Sequence, residues 1–253
     1  MPDVHDPQEQ LIRELLSKPD EITAILQSNA HQLTPDFFYF LGSIANHLKS
    51  KQRFQDAADL ANLGIKVATC AGAKHDAHRL VELVGRIEKD QNHLEDAIKA
   101  FEAARTMAKE LLDAGDNEAL IGFVSSTLLI ADQEAARENY TRAREILAEA
   151  RLTSNKLHSA WGEVWTIVNF AAICLKQGDY EQALKYASLW TDVLQRLSAG
   201  KTSNSIDADA DLPPQSQLYD LLANLARMFY YERDDYKSAR ISAKQAVQLD
   251  PAR

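Results

Sequence analysis

Glycine, proline and cysteine are all scarce in this sequence. The 253 residues include 9 glycines, 7 prolines and 2 cysteines. So few glycines and prolines argue against a β-rich fold, which needs many tight turns, and against a disordered chain. The two cysteines, Cys70 and Cys174, are far apart and each lies in an apolar helical pattern. We therefore predict buried free thiols rather than a disulfide or a metal-binding pair.

Positive charge and long apolar runs are also lacking. The chain has 28 Lys and Arg against 37 Asp and Glu, which gives a formal net charge of −9. A nucleic-acid-binding protein needs clustered positive charge to neutralise phosphates. No apolar run approaches the roughly 20 residues of a membrane span, and the acidic N-terminus does not resemble a signal peptide. We expect a protein of the reducing cytoplasm that binds no nucleic acid and does not span a membrane.

Helical periodicity runs along nearly the whole sequence. Thr34-Pro35 is typical of a helix start, and Gly72, Gly115 and Gly178 each follow a helical pattern where a helix would stop. No segment shows the strict alternation of a strand. The pattern predicts an all-α protein. One apolar helical stripe comprises Leu94, Ala97, Ile98, Phe101, Ala104, Ala108 and Leu111.

Five helices share one spacing of side chains. A large residue is followed three positions later by alanine, seven later by a core residue and ten later by a small or apolar residue. The shared alanines are Ala57, Ala97, Ala143, Ala183 and Ala239. In the helix before four of them, a small residue lies twelve positions earlier, at Ala45, Gly85, Ala131 and Ala171. Small residues at this position predict that the two helices of each pair cross closely.

Two segments carry a resemblance to a known family. Residues 175–184, Leu-Lys-Gln-Gly-Asp-Tyr-Glu-Gln-Ala-Leu, resemble the inter-helix turn of a tetratricopeptide repeat (TPR), and so does the segment from Tyr236 to Pro251. Successive repeat alanines are 40, 46, 40 and 56 positions apart, whereas the family period is about 34. This lengthening is similar to that of bacterial and kinesin-light-chain-like members. The resemblance implies a right-handed α-solenoid of helix-turn-helix repeats.

The repeats predict a simple domain organisation. Residues 1–33 form an N-terminal helical cap, and residues 34–253 form five TPR-like helix pairs. The final spacing contains an inserted loop, 198–217, which its composition predicts to be mobile. The five predicted pairs span about 38–71, 78–113, 117–156, 160–198 and 216–253.

The resemblance implies a protein–protein interaction scaffold or adaptor that binds a peptide or helix in a concave groove lined by the first helix of each pair. Arg79, Arg86 and Lys89 are basic in an acidic protein. A solvated face paired with Glu82 and Glu88 accounts for them, and the alternative is a site for an acidic ligand. Trp165 is either an aromatic anchor for a partner or part of the core with Trp161. Helical phase places these residues in the groove: Tyr39, Asn46, Arg79, Arg86, Lys89, Asp132, Trp165, Asn169 and Lys176.

Three other functions are also compatible with the sequence. The chain is alternatively a regulatory sensor, an assembly factor or co-chaperone, or a scaffold that self-associates. The last alternative depends on the final repeat, which has no covering helix after it. Its apolar residues Ile241, Val247 and Leu249 are expected to dock on a second copy, on a partner, or on a further part of a longer chain.

Motifs for chemistry are incomplete. Gly200-Lys201-Thr202 lacks the earlier glycine of a phosphate loop, and the alternating aspartates of 207–211 lack the glycine and glutamate of a calcium loop. His75 and His78 lie three positions apart among charged residues, which is typical of a polar helix start. We therefore predict no catalytic activity, no cofactor and no metal site.

Overall fold

The structure is a computed structural model that describes residues 7–18, 21–198, 218, 220–223, 225–227 and 235–249. Within these residues every regular element is helical, as the sequence predicts. A short 3₁₀ turn, Ala30–Gln32, precedes α3, and residues 218, 220–223 and 225–227 are also helical. The longer helices are α1 (Pro7–Ser17), α2 (Ile22–Ser28), α3 (Pro35–Ser50), α4 (Phe54–Ala71), α5 (Lys74–Asp90), α6 (Leu94–Asp113), α7 (Ala119–Ala136), α8 (Tyr140–Lys156), α9 (Ala160–Lys176), α10 (Tyr180–Ser198) and α11 (Tyr236–Leu249).

The start of α3 follows from its sequence. Thr34 has extended backbone angles, and its hydroxyl oxygen accepts a hydrogen bond from the Phe37 N–H at 3.4 Å. Pro35 occupies the first helical position, where a missing N–H has no consequence because that group has no partner inside the helix. The predicted start signal is confirmed.

Seven successive helix–helix turns have one backbone design. Each contains a residue with positive φ, and the N–H of the next residue donates to a carbonyl five positions earlier, at 2.8–3.0 Å. This is the hydrogen bond of a Schellman motif, which satisfies a carbonyl at the helix end. The residues with positive φ are Gln52, Gly72, Asn92, Gly115, Glu138, His158 and Gly178.

The chain divides into two compact units. Unit 1 extends to Ser126 and unit 2 begins at Thr127. In unit 1, α3 packs against α4, α4 against α5, and α5 against α6. Its core contains the fully buried side chains of Phe37, Leu41 and Ile87. The short helices α1 and α2 add to this core through Leu11, Ile12, Leu15, Ile25 and Leu26.

Unit 2 has its own core. In it α9 packs against both α8 and α10. Trp190 on α10 is only 1% exposed and belongs to a cluster with Val164 and Ile167 of α9. The helical residues Leu218, Leu222 and Leu225 join the same cluster.

The small residues of the repeats lie where helices pack closely, as their spacing predicts. All five shared alanines are buried, so the common spacing marks the packed face of the second helix in each pair. A Cβ added at Gly85 would lie 2.4 Å from Cε1 of Phe101, a fully buried ring on α6. The close crossing of α5 and α6 therefore requires glycine at this position.

One cysteine differs from its predicted environment. Cys174 is buried, as expected, but Cys70 is exposed. The buried stripe of α4 ends at Val67 and Ala68, and Cys70 is rotated away from it in the last turn. The prediction of two buried thiols is wrong for Cys70, because an apolar helical pattern does not reveal where the helix leaves the core. Both thiols are free.

Candidate functional site

Four of the residues that helical phase assigns to the groove meet at one pocket in unit 1. Tyr39 and Asn46 come from α3, and Arg79 and Arg86 come from α5. The space enclosed is about 270 Å³. We call it the inner pocket, and it is lined by Phe38, Tyr39, Gly42, Ser43, Asn46, Asp76, Arg79, Leu80, Glu82, Leu83 and Arg86.

The charges of the inner pocket are arranged in two layers. Arg86 Nη2 lies 2.8 Å from Glu82 Oε1, and Arg79 Nη1 lies 3.8 Å from Asp76 Oδ1. The arginine side chains are 57% (Arg79) and 44% (Arg86) exposed, whereas the carboxylates are only 14% (Asp76) and 12% (Glu82) exposed. The recessed acids hold the arginines while the guanidinium groups face solvent, so the accessible surface is basic.

Glu82 is the centre of the polar contacts in this pocket. Its Oε1 accepts from Arg86 Nε at 3.1 Å and from the Ser125 hydroxyl at 3.2 Å, and its Oε2 accepts from the Ser126 hydroxyl at 3.2 Å. The carboxylate thus connects α5 to the first half of α7 and fixes the position of Arg86. An arginine that is held before a ligand arrives loses less conformational freedom on binding.

Tyr39 and Arg79 form the rim of the inner pocket. Tyr39 is 63% exposed, and the Arg79 guanidinium carbon lies 5.8 Å from the centre of its ring. This cation–π contact restrains an arginine that is otherwise held only by the long contact to Asp76. Burial raises the pKa of Asp76, and the nearby Arg79 and His75 oppose this effect.

His78 lies behind the inner pocket and is 5% exposed. Its Nε2 lies 3.2 Å from the Ser126 hydroxyl oxygen. That hydroxyl oxygen is also 3.2 Å from Glu82 Oε2, so His78, Ser126 and Glu82 form one chain of polar contacts. A Cβ at Gly122 of α7 would lie 2.5 Å from His78 Cε1, so glycine is needed there. Burial lowers the pKa of His78, and Glu82 partly opposes this effect.

The remaining predicted residue of this unit, Lys89, is half-buried on α5 and does not line the inner pocket. An ion pair joins the two helices that form the walls of the inner pocket: Lys49 Nζ of α3 lies 3.0 Å from Asp90 Oδ2 of α5. Of the two predicted acidic partners, Glu82 pairs with Arg86, whereas Glu88 contacts His93 at 2.9 Å.

The predicted groove residues of unit 2 lie on α7 and α9. Lys176 Nζ pairs with Asp132 Oδ1 at 3.3 Å. Asn169 donates its amide to the backbone carbonyl of Trp165 at 2.9 Å, so this group serves its own helix. Trp161 and Trp165 are both half-buried, with ring centres 6.5 Å apart. Trp165 therefore has both a packed and an accessible part.

The C-terminal residues predicted as an interface are described only in part. Ile241 on α11 is 42% exposed. The side chains of Val247 and Leu249 lie outside the described residues, as does segment 199–217, which holds nearly all of the predicted inserted loop.

The two histidines singled out by the sequence are not paired with each other. His75 Nε2 lies 2.7 Å from Asp116 Oδ2, and this hydrogen bond lowers the pKa of Asp116. Across the described part of the chain, no three His, Cys, Asp or Glu side chains are grouped so that they would hold a metal ion. A search for helices long and apolar enough to cross a membrane finds none in the same residues.

Sequence comparisons find no relative, but structural comparisons do. No family model matches this chain, and no curated protein sequence matches it. BtubC (BKLC) from P. vanneervenii superimposes with a TM-score of 0.65 at 13% identity, over 97% of this chain and 87% of that one. The apo form of RapI gives 0.65 at 13% identity, over 99% and 68%. The nearly identical TPR-like repeats of a Podosopora anserina kinesin light chain give 0.57 at 13% identity, over 86% and 96%.

The fold is TPR-like. At 13% identity these similarities establish the architecture only, and they confirm the helical-repeat fold that the spacing of the alanines and the two TPR-like segments predicted. The inner pocket lies between α3 and α5, the first helices of two successive helix pairs.

Proposed function

We propose that this protein is a non-catalytic interaction scaffold or adaptor, and that the inner pocket binds an acidic peptide or helix of a partner protein. The observation that carries the proposal is the layered charge of the pocket. Recessed Asp76 and Glu82 hold Arg79 and Arg86 with their guanidinium groups outward, beside the exposed ring of Tyr39.

The chemistry of arginine supports an acidic ligand. A guanidinium group offers five N–H donors in a planar fork, and Glu82 uses only two of those of Arg86. The remaining donors suit a carboxylate of a partner, and the ring of Tyr39 offers an apolar surface next to it. A charge-assisted hydrogen bond of this kind contributes about 1.5–3 kcal/mol.

In unit 2 we propose Trp165 as a second contact residue, with Asn169 one turn further along α9 and the Asp132–Lys176 ion pair at the end of the same helix. Trp165 keeps an accessible part although Trp161 packs near it. Large aromatic residues dominate the binding energy of many interfaces. The proposal also places the protein in the cytoplasm, where the exposed Cys70 thiol stays reduced.

A peptide array tests this proposal. Labelled protein is applied to immobilised peptides of matched length that are acidic, neutral or basic, each with and without an aromatic residue. We expect retention on the acidic aromatic peptides. The double substitution Arg79→Glu and Arg86→Glu should abolish it, because two favourable charge pairs become repulsive.

The control is Lys66→Glu, which reverses one charge, as each of the two pocket substitutions does, at an exposed position of α4 outside the inner pocket. Circular dichroism confirms that each variant keeps its helices. Equal binding to all three peptide classes, or an equal loss in the Lys66→Glu protein, would contradict an acidic ligand at this pocket. A pull-down from native lysate with the same variants and Trp165→Ala then identifies the natural partner.

A further inference from the structure

A second open surface lies between the second helices of two repeats in unit 2. Both α8 and α10 pack against α9, and a trough of about 700 Å³ separates them. We call it the outer trough. Seven of its lining residues form one stripe along α8, and the full lining is Thr141, Arg144, Glu145, Ala148, Arg151, Leu152, Asn155, Phe170 and Tyr186.

The floor of the outer trough is aromatic. The rings of Phe170 (α9) and Tyr186 (α10) are stacked, with centres 4.8 Å apart and planes within 9° of parallel. Beside them, Leu152 is 62% exposed, and the small exposed Ala148 leaves the middle of the trough open. This surface offers a site for one or two apolar side chains of a ligand.

The α8 wall of the outer trough is positively charged. Glu145, the one acidic lining residue, has Arg142 as its partner at 3.6 Å. Arg144 donates to the neutral Gln177 amide oxygen. Arg151 has a buried Nε without a hydrogen-bond partner. Among the described residues, neither lining arginine pairs with a carboxylate, in a chain whose net charge is −9.

The spacing of the two arginines indicates the shape of the ligand. Arg144 and Arg151 are seven positions apart, which places them about 10 Å apart along α8. The lining stripe runs from Thr141 to Asn155, or about 21 Å of helix. A ligand helix laid along the trough has the same rise per residue. Its side chains about seven positions apart therefore face both arginines, and those three or four positions from either end face the aromatic floor.

We propose that the outer trough binds an amphipathic helix of a partner protein in which two carboxylates about seven positions apart flank an apolar side chain. The carboxylates lie over Arg144 and Arg151, and the apolar side chain lies on Phe170 and Tyr186. This site is separate from the inner pocket and does not depend on the function proposed for it.

A designed helix tests the proposal without knowledge of the natural partner. The probe is a fluorescent alanine-based peptide of about 16 residues with two glutamates about seven positions apart and two leucines between them. A second peptide replaces both glutamates with lysine, and a third replaces both leucines with serine. Binding to the full chain is measured by fluorescence anisotropy at low and at physiological salt.

The key variant is the double substitution Arg144→Glu and Arg151→Glu. We expect the glutamate peptide to lose about ten-fold or more in affinity for it. The lysine peptide should bind it better than it binds the unmodified protein. This exchange of preference is a gain of binding, and an unfolded variant does not produce it.

Two controls distinguish binding in the outer trough from binding elsewhere on the protein. Lys185→Glu reverses one charge at an exposed position of α10 outside the trough, and Arg86→Glu reverses one in the inner pocket. The Lys185→Glu protein should bind the glutamate peptide as tightly as the unmodified protein does. Any affinity that Arg86→Glu removes belongs to the inner pocket, and the further loss on Arg144→Glu and Arg151→Glu should remain when it is combined with Arg86→Glu. Ala148→Gln fills the open middle of the trough without a change of charge. It should reduce the affinity for the glutamate peptide about as much as replacing the two leucines of that peptide with serine does.

Four results would overturn the proposal. The first is equal binding of the glutamate and lysine peptides, and the second is an equal loss in the Lys185→Glu protein. The third is tighter binding of a peptide copying residues 203–216, whose aspartates would make the chain's own segment the occupant. The fourth is self-association that the double substitution abolishes, because the occupant would then be a second copy.

Discussion

Gly85 lies where α5 crosses α6, and a substitution there measures how closely the two helices approach. In Gly85→Ala the new methyl carbon would lie 2.4 Å from Phe101 Cε1 and 2.6 Å from Cδ1. Carbon atoms in favourable contact are about 3.5–4.0 Å apart. Phe101 is fully buried, so its ring has no free space to enter. Overpacking of this kind costs typically about 1–3 kcal/mol.

An opposing effect must be subtracted from this cost. Alanine stabilises a helix interior by about 0.8–1.0 kcal/mol relative to glycine. Gly42→Ala provides the matched control, because a Cβ there would have as its nearest neighbour Leu80 Cδ2 at 3.8 Å, an ordinary contact. We therefore expect Gly42→Ala to raise the free energy of unfolding by up to about 1 kcal/mol. We expect Gly85→Ala to lower it by about 0–2 kcal/mol.

Urea unfolding followed by far-ultraviolet circular dichroism is the appropriate assay. All three tryptophans, Trp161, Trp165 and Trp190, lie in unit 2, so tryptophan fluorescence would not report directly on a change in unit 1. In the double variant Gly85→Ala with Phe101→Leu, the smaller side chain should relieve the clash. The two substitutions should therefore be less destabilising together than the sum of their separate effects. A Gly85→Ala protein as stable as the Gly42→Ala protein would refute the close crossing.

Two further predictions concern groups that burial perturbs. Burial lowers the pKa of His78, so below about pH 6.5 the unfolded chain binds more protons than the folded one and the free energy of unfolding falls. His78→Gln should reduce this fall between pH 7.5 and 5.5 in urea titrations, and an unchanged pH dependence would exclude His78 as its source. Burial also raises the pKa of the Cys174 thiol, whereas Cys70 is exposed. A maleimide reagent should label Cys70 in the native protein and Cys174 only in denaturant, as mass spectrometry of peptides will report; rapid native labelling at Cys174 would contradict its burial.

Much of the fold is predictable from local spacing alone. The five repeated alanines mark buried positions because a helix places residues with this spacing on one face, whatever the distant parts of the chain do. The turns were best predicted where glycine occurs, at Gly72, Gly115 and Gly178. The break predicted at residues 153–155 was too early, because α8 continues to Lys156. Gln52 and Glu138 also have positive φ angles, but neither residue type predicts that conformation from the sequence. Tertiary packing imposes it.

The inner pocket was predictable in outline but not in its electrostatics. The TPR resemblance and helical phase together bring Tyr39 and Arg86 to one surface. The fixed, recessed position of Glu82 depends on its contacts with Ser125 and Ser126, and these require the crossing of α5 and α7. The one available signal was Gly122, because a glycine in a helix interior marks a close approach. Helical phase also could not show that the Asn169 amide bonds to its own helix, since that depends on the rotamer.

The uniform turns have a consequence for the evolution of this chain. Each turn closes through hydrogen bonds of its own backbone, so a copied helix pair carries with it the geometry that starts the next helix. Tandem duplication of a helix pair then requires no new loop sequence to connect the copies. Helices on either side are free to gain or lose a turn, which accounts for unequal repeat lengths. In four of the seven turns the residue with positive φ is not glycine. Glycine there would remove the steric cost of the left-handed conformation, about 1 kcal/mol for each residue. The array therefore retains room for stabilising substitutions that touch neither of the two proposed binding surfaces.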